Sequence, residues 1–254
     1  MKVRILGCGT SSGVPRIGND WGACDPAEAK NRRRRASVLV EHRGTRILVD
    51  TSPDLREQLL DADVATLDAV IWTHDHADHC HGIDDLRQVF HAMERPVAGY
   101  ARPRTLASLQ KRFGYAFEGN GGYPATIEGD GLPDRFEVGL VTIRVVDQPH
   151  GGITSAGLRF DAGGANVGYS TDCDALTGEM ADLFAGLDLW IVDALRARPH
   201  PTHANLDQAL CWIARLRPKR AVLTHMDQSM DYAALAASLP KGVEPGFDGM
   251  EIAL

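Results

Sequence analysis

Apolar and polar residues alternate in short runs along the first part of the chain, the two-residue period of a strand with one buried face. "KVRILGCG" starts the series, and "ASVLVEH" and "TRILVD" follow, with Arg43-Gly44 between them predicting a hairpin turn. Ser52-Pro53 has the form of a helix N-cap followed by proline at the first helical position, which predicts a helix over "DLREQLLDA". "LDAVIWT" is short and apolar, the pattern of a buried strand, and it delivers the chain into "THDHADHCHG". Beyond that stretch, Ile83, Leu86, Val89 and Phe90 recur at helical spacing.

Further on come a strand at "PVAGYA", a helix at "RTLASLQKRFGYAF" and a glycine-rich loop, "EGNGGYPATIEGDG". Strands "FEVGLVTIRVVDQ" and "GLRFDAGGANVGYST" run up to His150 and Asp172. A buried strand "DLWIVDAL", a helix "NLDQALCWIARL", a strand "RAVLTH" and a helix "DYAALAASL" lead to the closing "GMEIAL". No repeat, low-complexity tract or linker interrupts the series, so one domain over residues 1–254 is expected, with strands in groups and helices interspersed mainly after the first third.

Composition narrows the function. A chain of 254 residues, 44% hydrophobic and 24% charged, can bury a substantial core. Its net charge of −7 gives no bulk attraction to nucleic acid or membrane surfaces, so neither a stable nucleic-acid partner nor a membrane is expected. No segment approaches the roughly 20 apolar residues that span a bilayer, and "MKVRILGCG" reads as a first strand in place of a signal peptide. Cys8, Cys24, Cys80, Cys173 and Cys211 are scattered, without a C-x-x-C pair, which predicts a reduced, cytoplasmic protein.

The candidate chemistry lies in residues 73–82. H-x-H-x-D-H sets His74, His76, Asp78 and His79 within six positions. Histidines two apart on an extended segment point the same way, and a turn into the following helix brings Asp78 and His79 to the same pocket, enough for two metals. An imidazole and carboxylate set suits zinc, manganese or iron and leaves positions open for water, which favours a catalytic over a structural site. Asp75, Cys80 and His81 fall outside the spacing and read as bystanders. Asp50, at the end of "RILVD", is either a hydrogen-bond support for a ligand or a turn acid.

"THDHADH" resembles the metal-binding signature of the metallo-β-lactamase superfamily, and "QPHG", "YSTDCD" and "LTHMD" supply matching positions further on. The resemblance implies an α/β (α+β) fold, an αββα sandwich of two mixed β-sheets with helices on the outer faces. It implies two divalent ions, zinc or manganese: His74, His76 and His150 on one, Asp78, His79 and His225 on the other, and Asp172 bridging. Two such ions acidify a bridging water to a hydroxide nucleophile, which Asp78 would orient or deprotonate.

A leaving alkoxide also needs a proton. "PTHANLDQAL" and "GCGTSSGVP" are similar to segments of the superfamily branch that includes the cyclic phosphodiesterases of the carbon–phosphorus lyase pathway. That similarity implies His203 as the group that protonates the leaving oxygen or grips phosphate, while His200 reads as a loop histidine. Ser11 and Ser12 would contact phosphate; of the run Arg32–Arg35, Arg34 would guide an anionic substrate towards the metals. The branch's extra Cys-rich zinc loop has no counterpart, because "NDWGACDPAEAKNRRRRAS" holds the single Cys24 and Gln228 follows "LTH". The expected function is a phosphodiesterase acting on a small cyclic ribose or nucleotide phosphodiester. The alternatives are a tRNA 3′-processing endonuclease, although no long basic insertion is present, a glyoxalase-type thioesterase, and a nucleotide-binding metal protein without turnover. A homodimer is allowed.

Overall fold

Arg43 and Gly44 both take positive φ, 47° and 90°, as a two-residue hairpin turn that follows strand twist requires. They join β2 (Ser37–His42) to β3 (Thr45–Val49) with Val38 opposite Val49. In the computed structural model, which describes residues 1–254, this hairpin sits inside a seven-stranded sheet ordered β14-β1-β2-β3-β4-β5-β6. Its other members are β1 (Lys2–Gly7), β4 (Ala69–Trp72), β5 (Val97–Ala101), β6 (Ile127–Gly131) and β14 (Glu251–Ala253). A second seven-stranded sheet, β13-β12-β11-β10-β9-β8-β7, is built from β7 (Arg135–Val138), β8 (Val141–His150), β9 (Ile153–Ala162), β10 (Ala165–Ser170), β11 (Leu189–Asp193), β12 (Arg220–Thr224) and β13 (Val243–Pro245).

The central strands of the first sheet, β2, β3 and β4, are buried on both faces, and their near-continuous apolar runs record it. Val38, Val40, Ile47, Val49 and Ile71 face the second sheet, in a core shared with Leu158, Phe160, Ile191 and Val222. Leu39, Leu48, Val70 and Trp72 face outwards, under α1 (Leu55–Ala62), α3 (Leu86–Met93) and α4 (Pro103–Glu118). The short α2 (Ala77–Cys80) carries part of the histidine cluster; α5 (Gly178–Phe184), α6 (Leu206–Leu216) and α7 (Tyr232–Ser238) belong to the second half. This is the expected sandwich of two mixed sheets. No helix is long and apolar enough to cross a membrane.

No sequence repeat is visible, yet the two sheets share one pairing plan. From β14 to β6, three antiparallel pairings are followed by three parallel ones, and the same order runs from β7 to β13. Three local expectations need correction. The helix expected to open at Ser52-Pro53 starts at Leu55, because the backbone at Thr51 is already bonded to the histidine loop: Thr51 N to His79 O, and Gly82 N to Thr51 O. "IEGDG", assigned to the glycine-rich loop, is the edge strand β6, paired in parallel with β5 despite its poor strand propensity. The pattern of apolar positions also passed over α5, which Thr177 caps through Met180 N, and the three-residue β13.

Arg33 ties the segment before β2 to the loop after β12. Its guanidinium is buried and donates to Asp227 O (3.2 Å), Met230 O (2.5 Å) and Asn31 Oδ1 (3.4 Å), while Asn31 Nδ2 donates to Asp231 Oδ2 (2.7 Å). Hydrogen bonds thus join the two segments from which a Cys-rich zinc site would have been built, and Cys24 Sγ lies 3.9 Å from Arg33 Nη1. Arg33→Met keeps much of the volume but strands two carbonyls, and is expected to cost about 2–4 kcal/mol. Urea unfolding in excess chelator checks this; an unchanged midpoint would show that the carbonyls find other donors.

Candidate metal centre

The side chains of the cluster all come from the carboxyl ends of strands or the turns just beyond them, where open α/β sheets gather ligands. Asp50 follows β3, His74 to His79 follow β4, His150 ends β8, Asp172 follows β10, Asp193 ends β11 and His225 follows β12. Three of these residues, Asp50, Asp172 and His225, have left-handed backbone, with φ of 64°, 53° and 59°. A single such residue turns the chain sharply at the strand end. Asp and His tolerate it better than most side chains.

Two separate groups of donor atoms result, and a third set, Asp172, His203 and His225, shares a residue with each. His74, His76, His150 and Asp172 present ligand atoms that all lie within 4.8 Å of one another, and so do Asp78, His79 and His225. Asp172, 2% exposed, faces both. Its Oδ1 is 3.7 Å from His74 Nε2 and 3.5 Å from His150 Nε2, whereas Oδ2 is 3.1 Å from His79 Nε2 and 3.5 Å from His225 Nε2. Asp78 Oδ2 closes the second group at 3.3 Å from His79 Nε2 and 3.4 Å from His225 Nε2.

The imidazoles are aimed by what their Nδ1 atoms touch. His79 Nδ1–H donates to Asp50 Oδ2 (2.7 Å), and His150 Nδ1–H donates to Thr202 O (2.7 Å), so each turns Nε2 inwards. Asp50 is fully buried and also accepts from Thr73 N (2.8 Å) and the Thr73 hydroxyl, which lies 3.0 Å from His74 Nδ1. One carboxylate therefore supports both ends of the His74–His79 segment. Sequence reasoning missed the equivalent residue on the other side, Asp193. Its Oδ2 accepts from His203 Nδ1 (3.0 Å) and from Cys173 N (3.2 Å), and it is 0% exposed. The available signal was an acid inside the otherwise apolar "LWIVDAL", the same feature that marks Asp50 in "RILVD".

His203 packs between two of the other imidazoles, with ring centroids 4.8 Å from His150 and 4.9 Å from His225. The "NLDQ" part of its motif is a capping box: Asn205 accepts from Gln208 N and Gln208 accepts from Asn205 N, which fixes the start of α6.

A model of the β-lactamase superfamily domain matches residues 45–226, a span that contains every residue just described. The chain belongs to that superfamily. The fold is the metallo-β-lactamase fold, and the solved structure of a diphosphatase from the PhnP family superimposes on it with a TM-score of 0.91 at 32% identity, covering 99% of this chain and 96% of that one. An octanoyltransferase of Porphyromonas gingivalis is 32% identical over 257 residues; the alignment takes in 99% of this chain but 51% of that protein, so the chain spans about half its length. The Zn²⁺-bound PqqB of Methylobacterium extorquens shares the fold, with a TM-score of 0.78 at 20% identity over the full length of both chains.

The electrostatics of this superfamily member fit a divalent cation. Nε2 of His74 and of His79 are buried and have no hydrogen-bond partner, so both nitrogens face the cluster where a metal would take them up. Burial opposes charge on His79, but the carboxylates of Asp172, Asp78 and Asp50 outweigh it and push its pKa well up. At His225, burial is likewise overcome, by Asp172, Asp78 and Asp193, and the pKa rises to about 9. His74 goes the other way: burial, then the neighbouring charge of His79, holds it well below the usual imidazole range.

The remaining predicted residues are spread. Ser11 and Ser12 are exposed on a turn held beside His225, with Thr10 N donating to Met226 O and Met226 N to Cys8 O. The glycines of "GCG" serve packing here, since a Cβ on Gly7 would lie 2.1 Å from Arg35 O. Arg34, expected to face the metals, instead pairs with Asp61 (2.6 Å) in a cavity that shares no residue with the cluster. The arginine run is extended, and each side chain already has its own contact: Arg33 is buried, Arg35 pairs with Asp54 (3.1 Å), and Arg32 lies over Trp21. Asp75 is more than a bystander, because Ser108 Oγ donates to its carboxylate (2.5 Å) and Arg112 to its carbonyl (2.5 Å), anchoring the histidine loop to α4. His81 packs on Phe113, Cys80 Sγ donates to Asp75 O (3.5 Å), and His200 accepts from Thr202 N (3.3 Å).

Metal must displace the protons that His79 and His225 hold at neutral pH in the free site, so affinity is expected to rise with pH up to about 9 and fall as acid returns those protons. Calorimetry at pH 7.5 in buffers of different ionisation enthalpy should show about one to two protons released per chain. No release would contradict the charge states. Asp50→Ala should weaken metal binding about 10–100-fold; a competition titration against a chromogenic chelator measures it.

Proposed function

We propose that each donor group holds one divalent ion, zinc or manganese, and that the protein is a phosphodiesterase for a small cyclic ribose or nucleotide phosphodiester. The observation that carries this reading is the His203–Asp193 pair, packed against ligands of both groups. A thiolate leaves unaided because its conjugate acid has a pKa of roughly 8.5. An alkoxide must be protonated as it departs, and a fixed imidazole is the group for that task.

Two bound ions would acidify a water and neutralise phosphoryl oxygens. The chain's own residues do the rest. Asp193 holds the Nδ1 proton of His203 and fixes the ring, so that Nε2 is the nitrogen able to pass a proton to the leaving oxygen. Asp78, at the edge of its group, is positioned to orient the attacking water. The hydroxyls of Ser11 and Ser12 offer hydrogen bonds to phosphate from the turn beside His225. The 32% identity over 99% of the chain to a diphosphatase supports phosphorus–oxygen chemistry.

Acyl thioester hydrolysis is the second reading, favoured by the equal identity to a protein named for octanoyl transfer. Metal analysis with a panel of linear and cyclic phosphodiesters, diphosphates and acyl thioesters separates the two. Two ions per chain and fastest turnover of a diester are expected; fastest turnover of a thioester would replace the first reading, and tight nucleotide binding without turnover would favour sensing. Asp172→Ala should lose bound metal together with activity. His203→Ala should keep both ions and slow diester hydrolysis by about 10²–10⁴-fold, with a smaller effect on p-nitrophenyl esters, whose leaving group needs no proton. An equal slowing of both substrates would remove His203 as the acid.

A further inference from the structure

A cavity of about 550 Å³ opens on the outer side of the first sheet and shares no residue with the candidate metal centre. It is walled by Arg4, Lys30, Arg32 and Arg34, four cations gathered in a chain whose net charge is −7. Two of the four are already engaged. Arg34 pairs with Asp61 (2.6 Å), and Arg4 pairs with Glu251 (3.1 Å) while donating to Asp61 O (2.6 Å).

Lys30 and Arg32 have aromatic partners in place of carboxylates. Lys30 Nζ donates to Tyr232 Oη (3.0 Å) and lies 4.4 Å from the Tyr232 ring centroid and 4.5 Å from that of Phe247. Arg32 Cζ is 5.2 Å from the Trp21 ring. An aromatic face steadies a cation without neutralising it, so both charges are held in place and unspent. The other wall carboxylate, Asp248, is occupied: its two oxygens accept from Cys8 N (3.1 Å) and Arg34 N (2.7 Å). Burial pushes that carboxyl up to about 7, which reduces its repulsion of an anion.

We propose that this cavity is a second ligand site, which binds the phosphate group of a small molecule through Lys30 and Arg32. Guanidinium forks match phosphate oxygens in pairs, and the volume falls in the usual range of small-molecule sites, roughly 300–1,000 Å³. The site stands whether or not the metal centre cleaves phosphodiesters, because none of its residues belongs to that centre.

Titration calorimetry with inorganic phosphate tests it, on the metal-loaded wild type and on Asp172→Asn, whose metal centre is disabled. The wild type and Asp172→Asn should both show a binding event that weakens at least tenfold in Lys30→Gln/Arg32→Gln. An isotherm unchanged by that double substitution, or no event attributable to the cavity up to 10 mM phosphate (about 2.7 kcal/mol of binding free energy), overturns the proposal. Crystals soaked in tungstate give a second measurement that needs no variant. Anomalous density within bonding distance of Lys30 and Arg32 supports the site, and density confined to the histidine cluster overturns it.

Discussion

A carboxylate that is almost wholly buried must be paired or it will not stay ionised. Asp172 meets that condition with imidazoles on both sides: His74 and His150 at one oxygen, His79 and His225 at the other. Neutral imidazoles alone compensate it poorly, and protonated ones repel each other across ring distances of 4.3–5.6 Å between His74, His79 and His225. Cations at the focus of the nitrogens remove both difficulties, since they balance the acid and require the rings to be neutral. The packing of the cluster, the backbone turns that form it and the hydrogen bonds behind it all serve this one charge balance.

The scaffold meets the geometric side of the problem by repetition. In each sheet the parallel strands end on the same edge, so the two edges meet with their carboxyl ends together. A buried acid then supports each half: Asp50 beyond β3 directs His79 and Thr73, and Asp193 at the end of β11 directs His203. Neither acid touches solvent. Each therefore acts through the imidazole it holds, fixing which nitrogen faces the centre.

Much of this was legible in the residues, and the gaps have physical causes. The spacing of His74, His76, Asp78 and His79 fixes a local arrangement, and His150, Asp172 and His225 each announce themselves as polar residues at the end of an apolar strand run. Their convergence depends on the pairing of distant strands, which only the family resemblance supplied. Asp193 had the same strand-end signature but no local partner, because His203 reaches it from ten residues on across a turn. The strand β6 was hidden because Gly129, Asp130 and Gly131 have no strand propensity of their own and take that conformation from β5. The arginine run misled because period-two alternation says which side chains share a face but not what each face meets: Arg33 found two backbone carbonyls and Arg34 an acid on α1.

The same division explains why chemistry is easier to read than substrate. The cluster is anchored by strand ends whose backbone is bonded on both sides, so its donors have little freedom. The rim is looser: the donor His76 is exposed and turns Nδ1, not Nε2, towards His150 at 3.3 Å, and outside the donor groups Ser11 and Ser12 sit on an exposed turn. These residues reach solvent, whereas Asp172, His74 and His79 are buried. A substitution at Ser11 or Ser12 leaves the charge balance at Asp172 undisturbed, because neither belongs to the donor groups. A fold of this kind can keep one metal-binding core while exposed turns change, and under the proposed function the residues that would select a substrate are those the core constrains least.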